Sequence, residues 1–459
     1  MTHNTKKGGI HVQAQTRKTS KFSNLWLKED YWAVWIGLGT ILIALLFYKL
    51  GGSIAPLGVG FESFDNFSVV PGQFIGLLPK LILLYIVLSI VFSIAIKIMG
   101  HSIPQFMKGF TLLYVMAIIV QILGSWNPAK ALNLEAPVLA LIIGMLIGNF
   151  GKIPEWFDAA LRTEFYVKIG IVLMGATLPF TLILRSGPVA FLQATFIAVS
   201  TFLTIYFVGT RIFGLDKRFA ATLGAGGSIC GVSASIAIGS SVNAEKNHVS
   251  VSISMVVVWA TIMVFLLPAL SHLLGLTQGE AGAWIGTSEF ADAAGIAAAA
   301  QFGDAGITSF TLMKVVGRDM FVGIWAFILA IISVTKWETH ADGAKPNAGV
   351  IWERFPKFVL GFFIASFIMT AVTVGITPEV NEAINAAIIG PIKSLRTWAF
   401  VFCFLCIGLT TRFKELAAVG MKPVGAFSIG VAVNVLLGFL FSVILLGHYW
   451  TNITQVFAG

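Results

Sequence analysis

The sequence is poor in charge. Only 11% of its 459 residues are Asp, Glu, Lys or Arg, while 57% are hydrophobic. That balance lies far from that of soluble domains and excludes a water-soluble globule. Cysteine is scarce too. Cys230, Cys403 and Cys406 all fall in apolar stretches and offer no disulfide framework. Cys403 and Cys406 form a CxxC, but without a second pair this does not read as a metal or redox centre. The seven His are scattered without ligand spacing. There is no HExxH, no GxSxG and no ATP-binding loop, so the chain does not read as an enzyme and implies no cofactor. Nor does a net charge of +9 indicate a nucleic-acid partner, because the basic residues sit mostly in tails and short loops. No apolar core with a small-residue cleavage site precedes the first hydrophobic run, so no secretory signal is expected.

Long hydrophobic runs are what the sequence does have. A membrane helix needs about 20 mostly apolar residues, and thirteen apolar segments lie between Tyr31 and Leu446. The expected fold is an all-α polytopic membrane protein with about 11 to 13 membrane segments. It divides into a basic tail over 1–30, additional helices over 31–124, a transporter domain over 125–446 and a tail over 447–459. Lys97, Lys108, Lys152, Arg162, Arg211, Lys217 and Arg218 fall on the side of the basic tail, whereas 51–71 has no Lys or Arg. The positive-inside rule places the N-terminus in the cytoplasm and the C-terminal tail outside.

One stretch stands apart, LGAGGSICGVSASIAIGSSV over Leu223–Val242. It is apolar, yet Gly224, Gly226, Gly227 and Gly231 crowd its first half. Each costs about 1 kcal/mol against Ala inside a helix. Backbone that leaves a helix within a bilayer must be buried in protein or line a wet cavity. The pattern predicts helix, break, helix, with the break at Gly226-Gly227-Ser228 and the second half starting near Gly231 or Val232. Free N–H groups there make an anion site from Gly226, Gly227, Ser228, Cys230, Gly231 and Ser233. The alternative is close helix packing through small residues.

A second interrupted segment, Ala281–Phe302, carries Glu289 and Asp292, expected on one helix face. Lys314 and Arg318 follow in the apolar span Ser309–Val334. Ionisable groups at membrane depth are costly and functional by default. The two cations either hold an anion or pair with the acids; Glu289 and Asp292 are candidates for a coupling ion. Asn434 reads as a helix–helix hydrogen bond. If both interrupted segments re-enter, Lys246 lies inside; if both cross, it lies outside, and charge bias favours re-entry. Ile169–Phe191 also echoes Phe402–Phe427, with Gly175 and Gly187 matching Gly408 and Gly420 and the two segments crossing in opposite directions. That is the pattern of inverted repeats.

At GGSICGVSA (Gly226–Ala234), IGIVLMG (Ile169–Gly175) and CIGLTTRFKEL (Cys406–Leu416), the chain resembles the sulfate-exporter family of bacterial inner-membrane proteins, from about Pro137 to Leu446. The resemblance implies a fold related to bile-acid symporters and sodium–proton antiporters, with discontinuous helices and inverted repeats. It implies export of a small anion: sulfate, sulfite or a small organic sulfonate. The family usually has a His before the acid and a Gln after it, where this chain has Ser288 and Asp292. The extra acid leaves an alternative open, a Na⁺- or proton-coupled carrier with the cation at Glu289 and Asp292. The expected partners are the anion, Na⁺ or H⁺ and the lipid bilayer, with a homodimer left open.

Overall fold

The computed structural model describes residues 24–131, 136–319, 325, 328–329, 331–337, 356–410 and 420–455. The tail before residue 24, the loop with Lys345 and Arg354, the turn with Arg412 and Lys414 and part of the Ser309–Val334 span lie outside the described residues. Helices α1 (Glu29–Lys49), α2 (Val70–Ile98) and α3 (Ile103–Gly124) come first. The shorter α4 (Ala136–Phe150) and α5 (Thr163–Gly175) lead to the long α6 (Phe180–Phe207). A pair of half-length helices follows, α7 (Lys217–Ser228) and α8 (Val232–Ser241). After α9 (Lys246–Leu273) comes a second such pair, α10 (Gln278–Ser288) and α11 (Asp292–Ala300). Then α12 (Gly303–Thr311) runs into a π turn at Leu312–Val316, and α13 (Lys357–Thr373), α14 (Gly390–Thr410) and α15 (Met421–Phe439) are the remaining long helices among the described residues. Among the described residues there is no strand, only a lone bridge between Phe64 and Trp126. Seven of the described helices are long and apolar enough to cross a membrane. The protein is an all-α polytopic membrane protein.

Thirteen apolar segments give fewer full crossings because two of them fold back. A Cβ at Gly239 would meet Thr222 Cγ2 at 3.3 Å, and one at Gly226 would meet Ser235 Oγ. Helices α7 and α8 therefore run antiparallel. Arg218 Nη1 donates to the Asn243 carbonyl at 3.3 Å, so the pair ends beside its own start. The second pair does the same. A Cβ at Gly306 would lie 2.7 Å from the Ala299 carbonyl and 3.6 Å from that of Gln278, which puts the end of α11 back beside the start of α10. Both pairs are re-entrant hairpins, as the charge bias favoured, and Lys246 shares a face with Lys217 and Arg218. Helix α9, 28 residues long and so about 42 Å at 1.5 Å per residue, joins the two faces. The hairpins thus enter from opposite sides.

Local chemistry starts each hairpin. Asp216 accepts from the N–H groups of Arg218 and Phe219, capping α7. Thr277 and Glu280 form a capping box on α10. The second arms begin differently. Gly231 precedes α8 and has no side chain, and Ala291, the N-cap of α11, makes no side-chain cap.

Around the hairpins, α14 packs on α4 and α5. Cys406 Sγ approaches the Ala160 carbonyl at 3.8 Å and Arg396 Nη1 donates to Thr177 Oγ1 at 3.3 Å, so α5 and α14 run antiparallel. This is the direction expected for the echoing segments; the second of them includes 411–419, outside the described residues. Aromatic rings fill the seam: Tyr114 stacks on Trp398 at 5.1 Å, and Phe402 contacts Phe110, Tyr114 and Tyr166.

Candidate functional site

The tips of the hairpins meet inside the protein. At the first tip α7 stops at Ser228, the chain turns through Ile229, Cys230 and Gly231, and α8 begins at Val232. The start of the second half is where the glycines placed it. The break is not. Gly226, Gly227 and Ser228 belong to the last turn of α7, so their N–H groups are held within the helix. The physical reason is packing. A Cβ at Gly227 would lie 2.6 Å from Ile205 Cδ1 and 3.0 Å from the Phe427 ring, and one at Gly226 would lie 3.0 Å from Ser252 Oγ. These two glycines let helices approach, the alternative reading of the stretch. Gly231 carries the turn: its φ is +64°, and a Cβ there would sit 3.0 Å from the Phe290 carbonyl of the other tip. The two tips are therefore in contact.

Glu289 and Asp292 do not share a helix face. Glu289 ends α10 with extended backbone, and Asp292 opens α11. Glu289 is fully buried; its Oε1 accepts from the Ala291 N–H at 3.0 Å, and Oε2 has no partner among the described residues. Asp292 is held by Lys314, whose Nζ donates to Asp292 Oδ1, to Asp319 Oδ1 at 2.7 Å and to the Ile229 carbonyl at 3.2 Å.

Lys314 and Arg318 lie inside the protein, 0% and 2% exposed, as their charge demands. Lys314 takes the second of the two roles expected, pairing with Asp292; Arg318 takes neither. Arg318 bonds five times to backbone carbonyls: twice to Ser228, and once each to Gly286, Thr287 and Glu289. Helices α7 and α10 both end here, and each C-terminus carries about half a negative charge with unpaired carbonyls. One guanidinium offsets both. Arg318 and Lys314 are braces that hold the tips together, and each of their side-chain nitrogens donates to protein.

A cavity of about 210 Å³ opens beside the joined tips. That is room for about seven waters at ~30 Å³ each, enough for a small ion. Cys230 and Val232 line it from the first tip, Ala291, Asp292 and Ala294 from the second. Helices α8 and α11 both begin at its wall, where Gly231 has no side chain to cap α8 and Ala291 makes no cap for α11, so N–H groups of the first turns are open among the described residues. Thr163, Glu164, Thr261 and Thr410 add polar groups from α5, α9 and α14. Of the residues singled out from sequence, Cys230 and Asp292 line the cavity; Gly226, Gly227, Ser228, Gly231, Glu289, Lys314 and Arg318 stand behind it. The Ser233 side chain lies outside the described residues.

Glu164 was missed. Its side chain is 46% exposed and pairs with Lys168 at 3.2 Å, which also bonds Asp30 at 2.6 Å. A lone acid at the start of an apolar run reads as a helix N-terminal charge, and only the fold shows that this N-terminus faces the tips. Asn434 does what was expected: its Nδ2 donates to Thr201 Oγ1 at 3.0 Å, joining α15 to α6.

The family model described as conserved hypothetical protein 698 matches residues 108–427. A UPF0324 membrane protein of Nitratidesulfovibrio vulgaris is 31% identical over 377 residues, covering 81% of this chain and 65% of the relative. One from Rhodopirellula baltica is also 31% identical, covering 77% and 65%. One from Nitrosomonas europaea is 29% identical over 450 residues, covering 87% and 91%. The chain thus spans under two thirds of the first two relatives and nearly all of the third. No solved structure matches. With the family model covering most of the chain, and its relatives named as membrane proteins, the protein belongs to the UPF0324 family of multi-pass membrane proteins.

Proposed function

We propose that the protein is a secondary carrier of a small anion, with sulfate, sulfite or a small sulfonate as the candidate substrates and export as the direction. One observation carries the reading: two re-entrant hairpins from opposite faces bring the uncapped N-termini of α8 and α11 to one small cavity. Each N-terminus contributes about half a positive charge and free N–H donors. This is how a membrane protein binds an anion without a free cationic side chain, and discontinuous helices at a midplane site are the arrangement of alternating-access carriers. The anion is held by the tips at Cys230, Val232 and Ala291, and not by Lys314 or Arg318. In this reading the basic face is cytoplasmic, in a bacterial inner membrane, and the cavity extends toward it at Thr163 and Glu164.

A second reading has its own observation. The carboxylates of Asp292 and Glu164 line the same cavity. They favour a carrier in which Na⁺ or H⁺ enters with the anion and offsets that negative charge. The test is counterflow of labelled sulfate into proteoliposomes preloaded with unlabelled sulfate, with and without Na⁺ and a pH gradient. Saturable counterflow supports the carrier. Linear, unsaturable flux would identify a channel. Dependence on Na⁺ or pH that disappears in Asp292→Asn would establish coupling.

A further inference from the structure

We propose a second oxyanion site, at the base of the second hairpin and about 10 Å along α11 and α14 from the tip cavity, built on Arg396. A separate cavity of about 260 Å³ lies between the base of the second hairpin and helices α3 and α14. Gln121, Ser125 and Thr397 give it polar walls, and the paired Asp304 and Arg396 line it as well. Arg396 is only 7% exposed. Its Nη2 donates to Asp304 Oδ1 at 3.0 Å and its Nη1 to Thr177 Oγ1 at 3.3 Å. Its Nε, also buried, has no hydrogen-bond partner among the described residues. Lys393 Nζ reaches the other oxygen of Asp304 at 3.3 Å. Two cations therefore share one carboxylate, and the group carries a net charge of +1.

A buried guanidinium with an unused donor and surplus positive charge fits an anion with several oxygens, because its donors match oxyanion geometry in pairs. Asp304 holds the place such an anion would take. It projects from the first turn of α12, at the base of the second hairpin, while Arg396 and Lys393 project from α14, which packs on α4 and α5. An oxyanion at Arg396 competes with Asp304, and the ion pairs that tie the hairpin to α14 loosen when it binds. The site goes beyond the tip cavity and stands whether or not that cavity carries an anion.

Binding is read by protection of a thiol, without flux. Cys230, Cys403 and Cys406 are buried, so Thr397→Cys adds one reactive thiol at the cavity, measured against the wild-type background with a maleimide in detergent. Sulfate should slow labelling of Thr397→Cys relative to chloride at equal ionic strength, and leave Asn247→Cys on the other face unaffected. Added to Thr397→Cys, Arg396→Gln should raise the sulfate concentration for half-protection about tenfold, the loss of one charged hydrogen-bonding group. Asp304→Asn should lower it. If Arg396→Gln does not fold, Lys393→Gln, at an exposed residue, should weaken protection in its place. Equal slowing by chloride or at Asn247→Cys, or protection unchanged by these substitutions, would overturn the site. Protection without sulfate flux would keep it and overturn the carrier reading.

Discussion

Among the glycines of the central stretch, one is required by backbone conformation and others by packing. Gly231 sits at φ +64° with Phe290 and Val256 against it. An L-residue there pays for the left-handed conformation, about 1–2 kcal/mol, and also pushes the two tips apart. Gly227 is helical, and its nearest neighbour is the far end of Ile205, a side chain that can turn away. Gly231→Ala should therefore lower the thermal midpoint more than Gly227→Ala, by several degrees, in scanning fluorimetry of purified protein. Equal effects would mean that the tip contact contributes nothing beyond ordinary helix packing. The sequence did not separate these roles. A Gly-rich run shows that the helix is weak, but which Gly ends it depends on what packs against each one. The same limit applies to Arg318. Its depth in an apolar span made burial legible. Its four carbonyl partners belong to Ser228, Gly286, Thr287 and Glu289, far away in sequence.

At the scale of the element, two interrupted segments and the restart at Val232 could be read from composition. Re-entry could be read only from the side on which Lys246 falls, a weak signal. What decides it physically is length. Arms of 12 and 10 residues, or 11 and 9, reach about 14–18 Å at 1.5 Å per residue, roughly half of a ~30 Å hydrocarbon core. An arm of that length stops at mid-depth, and its partner arm either continues or returns. Here the small faces of α7 and α8 pack on one another, so the chain returns. Cysteine labelling in oriented membrane vesicles checks this. Lys217→Cys and Asn247→Cys should react from one side, and Gln278→Cys and Asp304→Cys from the other. A crossing arrangement would split the first two.

Over the whole molecule, α1 precedes the region matched by the family model, yet it is not an appendage. A Cβ at Gly37 would overlap Val172 of α5, and one at Gly361 of α13 would meet Val34 at 3.1 Å. Glu29 pairs with Arg162 at 2.7 Å and Asp30 with Lys168 at 2.6 Å. Lys168 links α1 to the tip cavity, because its other partner is Glu164, on the cavity wall. Partly exposed pairs of this kind contribute only about 0–1 kcal/mol each to stability, so their loss should be felt more in the cavity than in the fold. Lys168→Met leaves Glu164 and Asp30 without their cation and adds negative charge beside Asp292. Under the carrier reading, an anion at the tips then meets stronger repulsion. Sulfate should raise the melting temperature of Lys168→Met less than that of wild type, with the unliganded midpoint shifted by only a few degrees. Lys168→Met combined with Glu164→Gln should recover most of the sulfate response, since the offending charge is gone. If the double variant responds no better than Lys168→Met alone, Lys168 acts by packing α1 on α5, and the charge of Glu164 does not reach the bound anion.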